Sequence, residues 1–289
     1  MQQVMTEPGR GQYNAALEHI AGLAISEDLG DRGDITSKAV IPEESRGAAV
    51  IIVREPCVIS GMAAGAECCR QIDPDMIWLP LVEDSQSVPA GAQIARLEGG
   101  MRSILAAERT IINFISHLSG IATYTARFIA AVEGGGARIA ATRKTSPGMR
   151  LLEKQAVADG GGETHRMGLY DAILIKDNHI AAAGSVAAAL ESVRRAHGDD
   201  MTIEVEVDTI EQLEEVLGSA ADRVLLDNMS PEEVRSCVEL AAGRVIIEVS
   251  GGVNLDNVRD YAEAGVQIIS TGALTMSAPA MDFSLEITV

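Results

Sequence analysis

Between Arg138 and His179 the chain reads RIAATRKTSPGMRLLEKQAVADGGGETHRMGLYDAILIKDNH. Up to Lys176 this stretch holds seven Lys or Arg (Arg138, Arg143, Lys144, Arg150, Lys154, Arg166, Lys176) and His165, against four acids, in a chain whose formal charge is −19. A positive island in a negative chain focuses small anions. Further polar residues close a series of short apolar runs: Arg143-Lys144, Lys176, Glu206, Asp227, Ser250-Gly251-Gly252 and Thr271-Gly272-Ala273. The first two ends are cationic, the next two acidic, and the last two small and Gly-rich. Backbone N–H groups can approach a phosphate closely at glycine turns, and in α/β barrels such turns follow the last two strands. Two carboxylates beside them suit ribose hydroxyls or a phosphate-bound Mg²⁺. The cationic end suits a second anion, a carboxylate or a pyrophosphate. These residue types together point to a phosphosugar-using enzyme with an acidic co-substrate.

The elements that must carry these residues follow from periodicity. After the EGGG at 133–136, a helix end and hinge, strands read at Arg138–Thr142, Ala172–Lys176, Thr202–Val207, Arg223–Asp227, Arg244–Val249 and Gln267–Thr271, with helices between them. Ser185 is an N-cap, Pro147 falls in a first turn, and Ser230-Pro231-Glu232-Glu233 is a capping box with Pro at N1. Six βα units in series imply a parallel sheet, and polar residues at every strand end favour a barrel over a single crevice. Before this region, residues 12–26 form an amphipathic helix and EDLGDRGDITS a solvated loop. Strands alternate with turns through Gly47–Met62 and Met76–Gly99 around a short helix, giving an α+β unit. A long helix starts at Met101, and Gly120 is expected to break or bend it.

Composition narrows the class. Hydrophobic residues make up 47% of 289 but aromatics only 3%, so the core is aliphatic. The −19 charge excludes a nucleic-acid partner, which needs a basic footprint. No apolar run approaches the ~18 residues that span a bilayer. The N-terminal MQQVMTEPGRGQ lacks an apolar core, so no secretory signal is expected. Cys57, Cys68, Cys69 and Cys237 show no CxxC pair, which fits core thiols in a reducing cytoplasm. Each site element also has a plainer reading. Glu204 and Glu206 share one strand face, which on an open sheet would meet water and in a barrel points inward, where charges need a purpose. Glu108 and Arg109 on the long helix read as a surface ion pair.

The text GDITS, ILAAERTIINFISHLSGIAT, TRKTSPG, EKQAVADGGGETHRMGLYDAILIKDNH, IEVEV, LLDNM, EVSGG and STGAL, in that order, resembles the quinolinate phosphoribosyltransferase family over nearly the whole chain. The resemblance implies the carboxylating nicotinate-nucleotide pyrophosphorylase reaction of NAD synthesis. Quinolinate and phosphoribosyl pyrophosphate (PRPP) would give nicotinate mononucleotide, pyrophosphate and CO₂, with Mg²⁺ and no organic cofactor. It implies an N-terminal α+β sandwich domain (1–112, with the tail 274–289 packed on it) and an incomplete, six- to seven-stranded α/β barrel (113–273). It implies a homodimer with sites shared between subunits, with higher assembly open. Carried over, Arg143, His165, Arg166 and Lys176 resemble the quinolinate carboxylate clamp, joined by Arg109 from the partner subunit, which displaces the ion-pair reading. Lys144 resembles a ligand of the pyrophosphate or of the acceptor's rim. Glu206 and Asp227 resemble the ribose and Mg²⁺ side, holding the metal indirectly through PRPP, and Ser250, Gly251, Gly252 and Gly272 the 5′-phosphate loops. Lys144, Lys176, Glu206 and Asp227 are the expected catalytic set.

Three positions depart from the family pattern: Ala141 where Asp is frequent before TRKT, Thr164 where Asn precedes His-Arg, and Met276 where His is common. Alternative readings are a ModD-like relative, a phosphoribosyltransferase for another acidic acceptor such as nicotinate, and a non-catalytic phosphosugar-binding protein. Intact LIKDNH argues against the first, and the complete set of strand-end carboxylates against the last.

Overall fold

A computed structural model describes residues 7–198, 200–219 and 221–288. In chain order the first half holds α1 (Glu7–Leu29), α2 (Ile35–Val40), β1 (Arg46–Val53), β2 (Cys57–Val58), α3 (Met62–Ile72), β3 (Ile77–Pro80), β4 (Ser87–Val88), β5 (Gln93–Gly100) and α4 (Met101–Ala131). The second holds β6 (Arg138–Ala140), α5 (Arg150–Asp159), β7 (Ile173–Ile175), α6 (Asp177–Ala183), α7 (Val186–His197), β8 (Ile203–Val207), α8 (Ile210–Leu217), β9 (Arg223–Asp227), α9 (Pro231–Ala241), β10 (Ile246–Ser250), α10 (Val258–Glu263), β11 (Ile268–Ser270), α11 (Ala273–Met276) and β12 (Phe283–Thr288). The chain divides into two compact units. One comprises residues 1–126, 145–161 and 275–289, and the other residues 127–144 and 162–274.

The first unit is α+β. Its four-stranded antiparallel sheet runs β12-β1-β5-β3, so the C-terminal strand hydrogen-bonds to β1, with Val53 opposite Phe283. A two-stranded β2-β4 ribbon accompanies it. The DITS segment, read as part of a loop, forms the short helix α2, because Asp34 accepts hydrogen bonds from the N–H groups of Thr36 and Ser37 and so caps it. The helix α4 is one continuous element through Gly120, contrary to the expected break. Gly120 answers a different need, since a Cβ there would lie 2.2 Å from the Pro279 carbonyl oxygen. Gly120→Ala therefore sets a helix-propensity gain of about 1 kcal/mol against an overpacking cost of about 1–3 kcal/mol. The clash involves backbone, so we expect net destabilisation and a lower Tm by calorimetry.

A polar network lies inside this unit. Ser60 Oγ (2.6 Å), Gln155 Nε2 (2.8 Å) and Ser85 Oγ (3.5 Å) donate to the Asp159 carboxylate, and Met62 N–H donates to Asp84 Oδ1 at 3.1 Å. Burial pushes the Asp84 carboxyl up to about 6, with the Asp159 charge adding to it, and burial also raises Asp159. A raised carboxyl stabilises the fold while protonated and loses that contribution as pH rises through its folded value. Asp84→Asn mimics the protonated form at every pH. Relative to this variant, wild-type Tm should fall by a few degrees between pH 5 and 7.5, on the order of 1–2 kcal/mol. A constant difference in paired melts would refute the assignment. All four cysteines are free and buried, and burial raises the Cys68 and Cys69 thiols to about 12, leaving them unreactive.

The second unit is a parallel sheet of six strands in the order β6-β11-β10-β9-β8-β7, an incomplete α/β barrel whose edge strands are β6 and β7. The helix starts follow the sequence signals. Ser185 Oγ accepts from Ala188 N–H at 3.1 Å, and Ser230 with Glu233 makes a reciprocal capping box with Pro231 at its start. Pro147, read as part of a first helical turn, instead lies in the turn before α5, which Met149 N–H closes on Ser146 O at 3.0 Å. Among the described residues no helix is long and apolar enough to cross a membrane.

Candidate functional site

The ends of all six barrel strands open on one cavity of about 470 Å³. The parallel register places them there together: Ser250 pairs with Asp227, Glu206 with Leu225, and Ser270 with Ala140. Arg143, Lys144, His165, Arg166, Lys176, Glu206, Asp227, Ser250, Gly251 and Gly252 all line it. Ten of the twelve residues expected from the sequence are thus brought to one place. Gly272 lies just behind: a Cβ there would come within 2.8 Å of Lys144 Cδ, so this glycine lets the lysine stem pass over the β11 turn. Arg109 does not line this cavity. It borders a separate one of about 250 Å³ in the first unit, with Glu27, Asp28 and His117 nearby. No Glu108–Arg109 ion pair exists among the described residues.

Like charges crowd the cationic side. Burial, and next the Arg143 guanidinium, lower the proton affinity of Arg166. The carboxylates of Glu204, Asp171 and Glu206 oppose that effect, so the site sets two guanidiniums beside acidic groups. Lys176 follows β7 and ion-pairs with Glu206, the last outward-opening carboxylate of β8. Asp227 stands at the end of β9 with Asn228 Nδ2 donating to it at 2.7 Å. Beyond β10 both Gly251 (φ 94°) and Gly252 (φ 64°) occupy the left-handed region, which presents backbone N–H groups rather than side chains.

Beneath the opening sits a buried cluster that the sequence reading only partly saw. His165 Nε2 lies 3.2 Å from Glu248 Oε2 and 3.5 Å from Glu204 Oε2, and both glutamates are almost wholly buried. Burial lowers His165, while the carboxylates of Glu204 and Glu248 pull it the other way, toward a charged ring with a value of about 9. Arg166 N–H, however, donates to His165 Nδ1 at 2.8 Å, which leaves only Nε2 for a proton. The form that suits both ring nitrogens is the neutral ring with its proton on Nε2, since an imidazolium would aim N–H at N–H. Burial raises Glu204, while His165 holds Glu248 low despite burial, so Glu204 is the carboxyl that more readily keeps a proton. His165 itself takes φ 51°, a backbone state it holds because both ring nitrogens are tied down.

By spacing, His165, Glu204 and Glu248 could hold a divalent ion, their ligand atoms lying within 4.8 Å of one another. A metal on Nε2 would have to displace the proton now shared with the two carboxylates. Glu206 and Asp227 offer only oxygen and face the cavity, the donor set that Mg²⁺ prefers. The signal for Glu248 was available in the sequence: a lone carboxylate inside Ile246-Ile247-Glu248-Val249 repeats the Glu204 pattern two strands away.

The fold and this cavity define a class: an incomplete α/β barrel whose strand ends oppose a cationic cluster to two carboxylates and a glycine-rich turn. Residues 34–119 match the family model of the quinolinate phosphoribosyl transferase N-terminal domain, and residues 121–286 that of its C-terminal domain. A probable nicotinate-nucleotide pyrophosphorylase [carboxylating] of Bacillus subtilis is 39% identical, covering 91% of this chain and 90% of its own length. The nicotinate-nucleotide pyrophosphorylase [carboxylating] of Mycobacterium leprae is also 39% identical, covering 96% and 98%. The solved structure of the Francisella tularensis nicotinate-nucleotide pyrophosphorylase superposes with a TM-score of 0.91 at 39% identity, over 95% of this chain and 97% of that one. The chain belongs to the quinolinate phosphoribosyltransferase family.

Proposed function

We propose that this protein transfers the phosphoribosyl group of PRPP to the ring nitrogen of quinolinate with loss of CO₂, releasing nicotinate mononucleotide and pyrophosphate, a step of NAD synthesis. The observation that carries the reading is one cavity holding a crowded arginine pair opposite two strand-end carboxylates. Quinolinate is a dianion, and Arg143, Arg166 and Lys176 supply the cations that its two carboxylates require. His165 has both ring nitrogens engaged, so it serves this clamp by holding the backbone of Arg166. As the bond from the anomeric carbon to pyrophosphate breaks, positive charge grows on the ribose, and Glu206 and Asp227 stabilise it. Lys144 meets the departing pyrophosphate. Glu206 and Asp227 would hold Mg²⁺ indirectly through PRPP, and the ion would add neutralisation of that leaving group. Ser250, Gly251, Gly252 and Gly272 receive the 5′-phosphate. Decarboxylation then draws electrons into the quaternised pyridinium ring, while the protein fixes geometry and excludes water.

Ala141 is buried in the cavity wall and its N–H donates to Glu163 O at 2.8 Å, so the loop before Arg143 is held without an aspartate. Activity is therefore expected to survive the departures at Ala141, Thr164 and Met276. The deciding experiment is a product assay with PRPP and Mg²⁺, run separately with quinolinate and nicotinate. Nicotinate mononucleotide and CO₂ from quinolinate alone support the reading. Turnover of nicotinate alone removes the dicarboxylate assignment, and no product from either removes the enzyme assignment.

We further propose a homodimer in which Arg109 completes the partner subunit's clamp. The support is that Arg109 borders a cavity of its own and makes no salt bridge among the described residues. Mixing inactive Arg109→Ala and Lys176→Ala subunits should restore about a quarter of wild-type activity through hybrid dimers holding one intact site. If subunits exchange, shown by mass-tagged mixing, and no activity returns, the shared site is wrong.

A further inference from the structure

Asn228 follows β9 directly and enters the left-handed region at φ 56°, a state that asparagine tolerates better than most residues. Its neighbours hold it there. Asp227 pairs in register with Ser250, and the buried Met229 accepts a hydrogen bond from Tyr261 Oη at 3.1 Å through its carbonyl. Three contacts then radiate from Asn228 itself. Its N–H donates to Ser250 O at 2.9 Å, its Nδ2 donates to Asp227 Oδ2 at 2.7 Å, and its Oδ1 lies against Gly251. A Cβ at Gly251 would fall 2.2 Å from that Oδ1 and 2.8 Å from the Asn228 nitrogen, so the glycine is required by the asparagine. Asn228 therefore joins a strand-end carboxylate to the glycine turn of the next strand, within the wall of the cavity.

We infer that Asn228 is a positioning residue for the sugar-phosphate half of the site, setting the rotamer of Asp227 and the seat of Gly251 at once. With Oδ2 of Asp227 committed to the amide, Oδ1 is the oxygen left for a ribose hydroxyl or for PRPP-bound Mg²⁺. The residue type is narrowly determined. Glycine would tolerate the backbone state but lose both side-chain contacts. Aspartate would keep the shape and lose the donor. This inference rests on the phosphoribosyl reading above.

Titration calorimetry of the full chain with Mg²⁺-PRPP and, separately, with quinolinate distinguishes the two. Asn228→Gly should weaken PRPP binding about tenfold, as for loss of one hydrogen bond to a charged group, and leave quinolinate affinity within about twofold. In an Asp227→Ala background the same substitution should have a markedly smaller further effect, because one of its two side-chain contacts acts through that carboxylate. Should Asn228→Gly fail to fold by circular dichroism, Asn228→Asp carries the same expectation. Unchanged PRPP affinity, an equal loss for quinolinate, or an effect that simply adds to Asp227→Ala would each overturn the inference. Wild-type protein that binds no PRPP would instead remove the functional reading, and this one with it.

Discussion

Arg166→Ala is expected to lower kcat/KM for quinolinate by about 10²–10³-fold, with the loss mainly in KM. A charge-assisted pair to a carboxylate contributes roughly 1.5–3 kcal/mol per hydrogen bond, and a bidentate guanidinium makes two. Arg143 lies close enough to lower the proton affinity of Arg166, so both guanidiniums face the same part of the cavity. Affinity for PRPP should change little, because Arg166 belongs to the cationic cluster assigned to quinolinate and not to the glycine turn assigned to the 5′-phosphate. Lysine in its place should recover only part of the loss, a point charge replacing a planar fork. Steady-state kinetics with each substrate varied in turn separates these outcomes. An equal rise in both KM values would mean that Arg166 is not a quinolinate ligand.

Glu248→Ala should destabilise the barrel by about 3–5 kcal/mol, a large-to-small void in the core together with a lost hydrogen bond to a charged group. Glu248 has no exposed surface, accepts from His165, and lies across β9 from Glu204. Alanine would leave an aliphatic void and remove one of the two acceptors that hold the His165 ring. Glu248→Gln keeps the volume and one acceptor, and should recover most of the stability. At about 2–4 °C per kcal/mol for a chain of this size, alanine should lower Tm by roughly 10 °C and glutamine by a few degrees. A similar Tm for the two variants would show that the carboxylate's charge, not its volume, is what Glu248 supplies. If His165 fixes Arg166 as argued, Glu248→Gln should also raise the quinolinate KM more than the PRPP KM.

Much of this molecule is legible in its text because the relevant signals are local. Ser185, Ser230 and Glu233 start helices wherever their N–H and carboxylate partners lie within three residues, and the structure uses all of them. Strands 138–140 through 268–270 announce themselves by short apolar runs that end on Lys176, Glu206, Asp227 and Ser250. Parallel pairing then carries those ends to one edge, so a list of strand-final residues is already a list of cavity residues. Gly120 was misread because a glycine within a helix carries no mark of its reason. Its neighbour is Pro279, far along the chain, and only packing shows the carbonyl that excludes a Cβ.

Charge and pattern in the sequence determine that a positive island sits in an acidic chain, that strands and helices alternate after residue 136, and which side chains stand at strand ends. Those properties depend on residue type and on contacts a few positions apart. Tertiary structure alone decides which groups touch. It pairs Lys176 with Glu206, sets His165 between Glu204 and Glu248 with Arg166 on its other nitrogen, and stands Asn228 against Gly251. It also puts Arg109 beside a cavity of the first unit. These are distances of a few ångströms between residues tens of positions apart, fixed by sheet register and burial, and no local pattern encodes them.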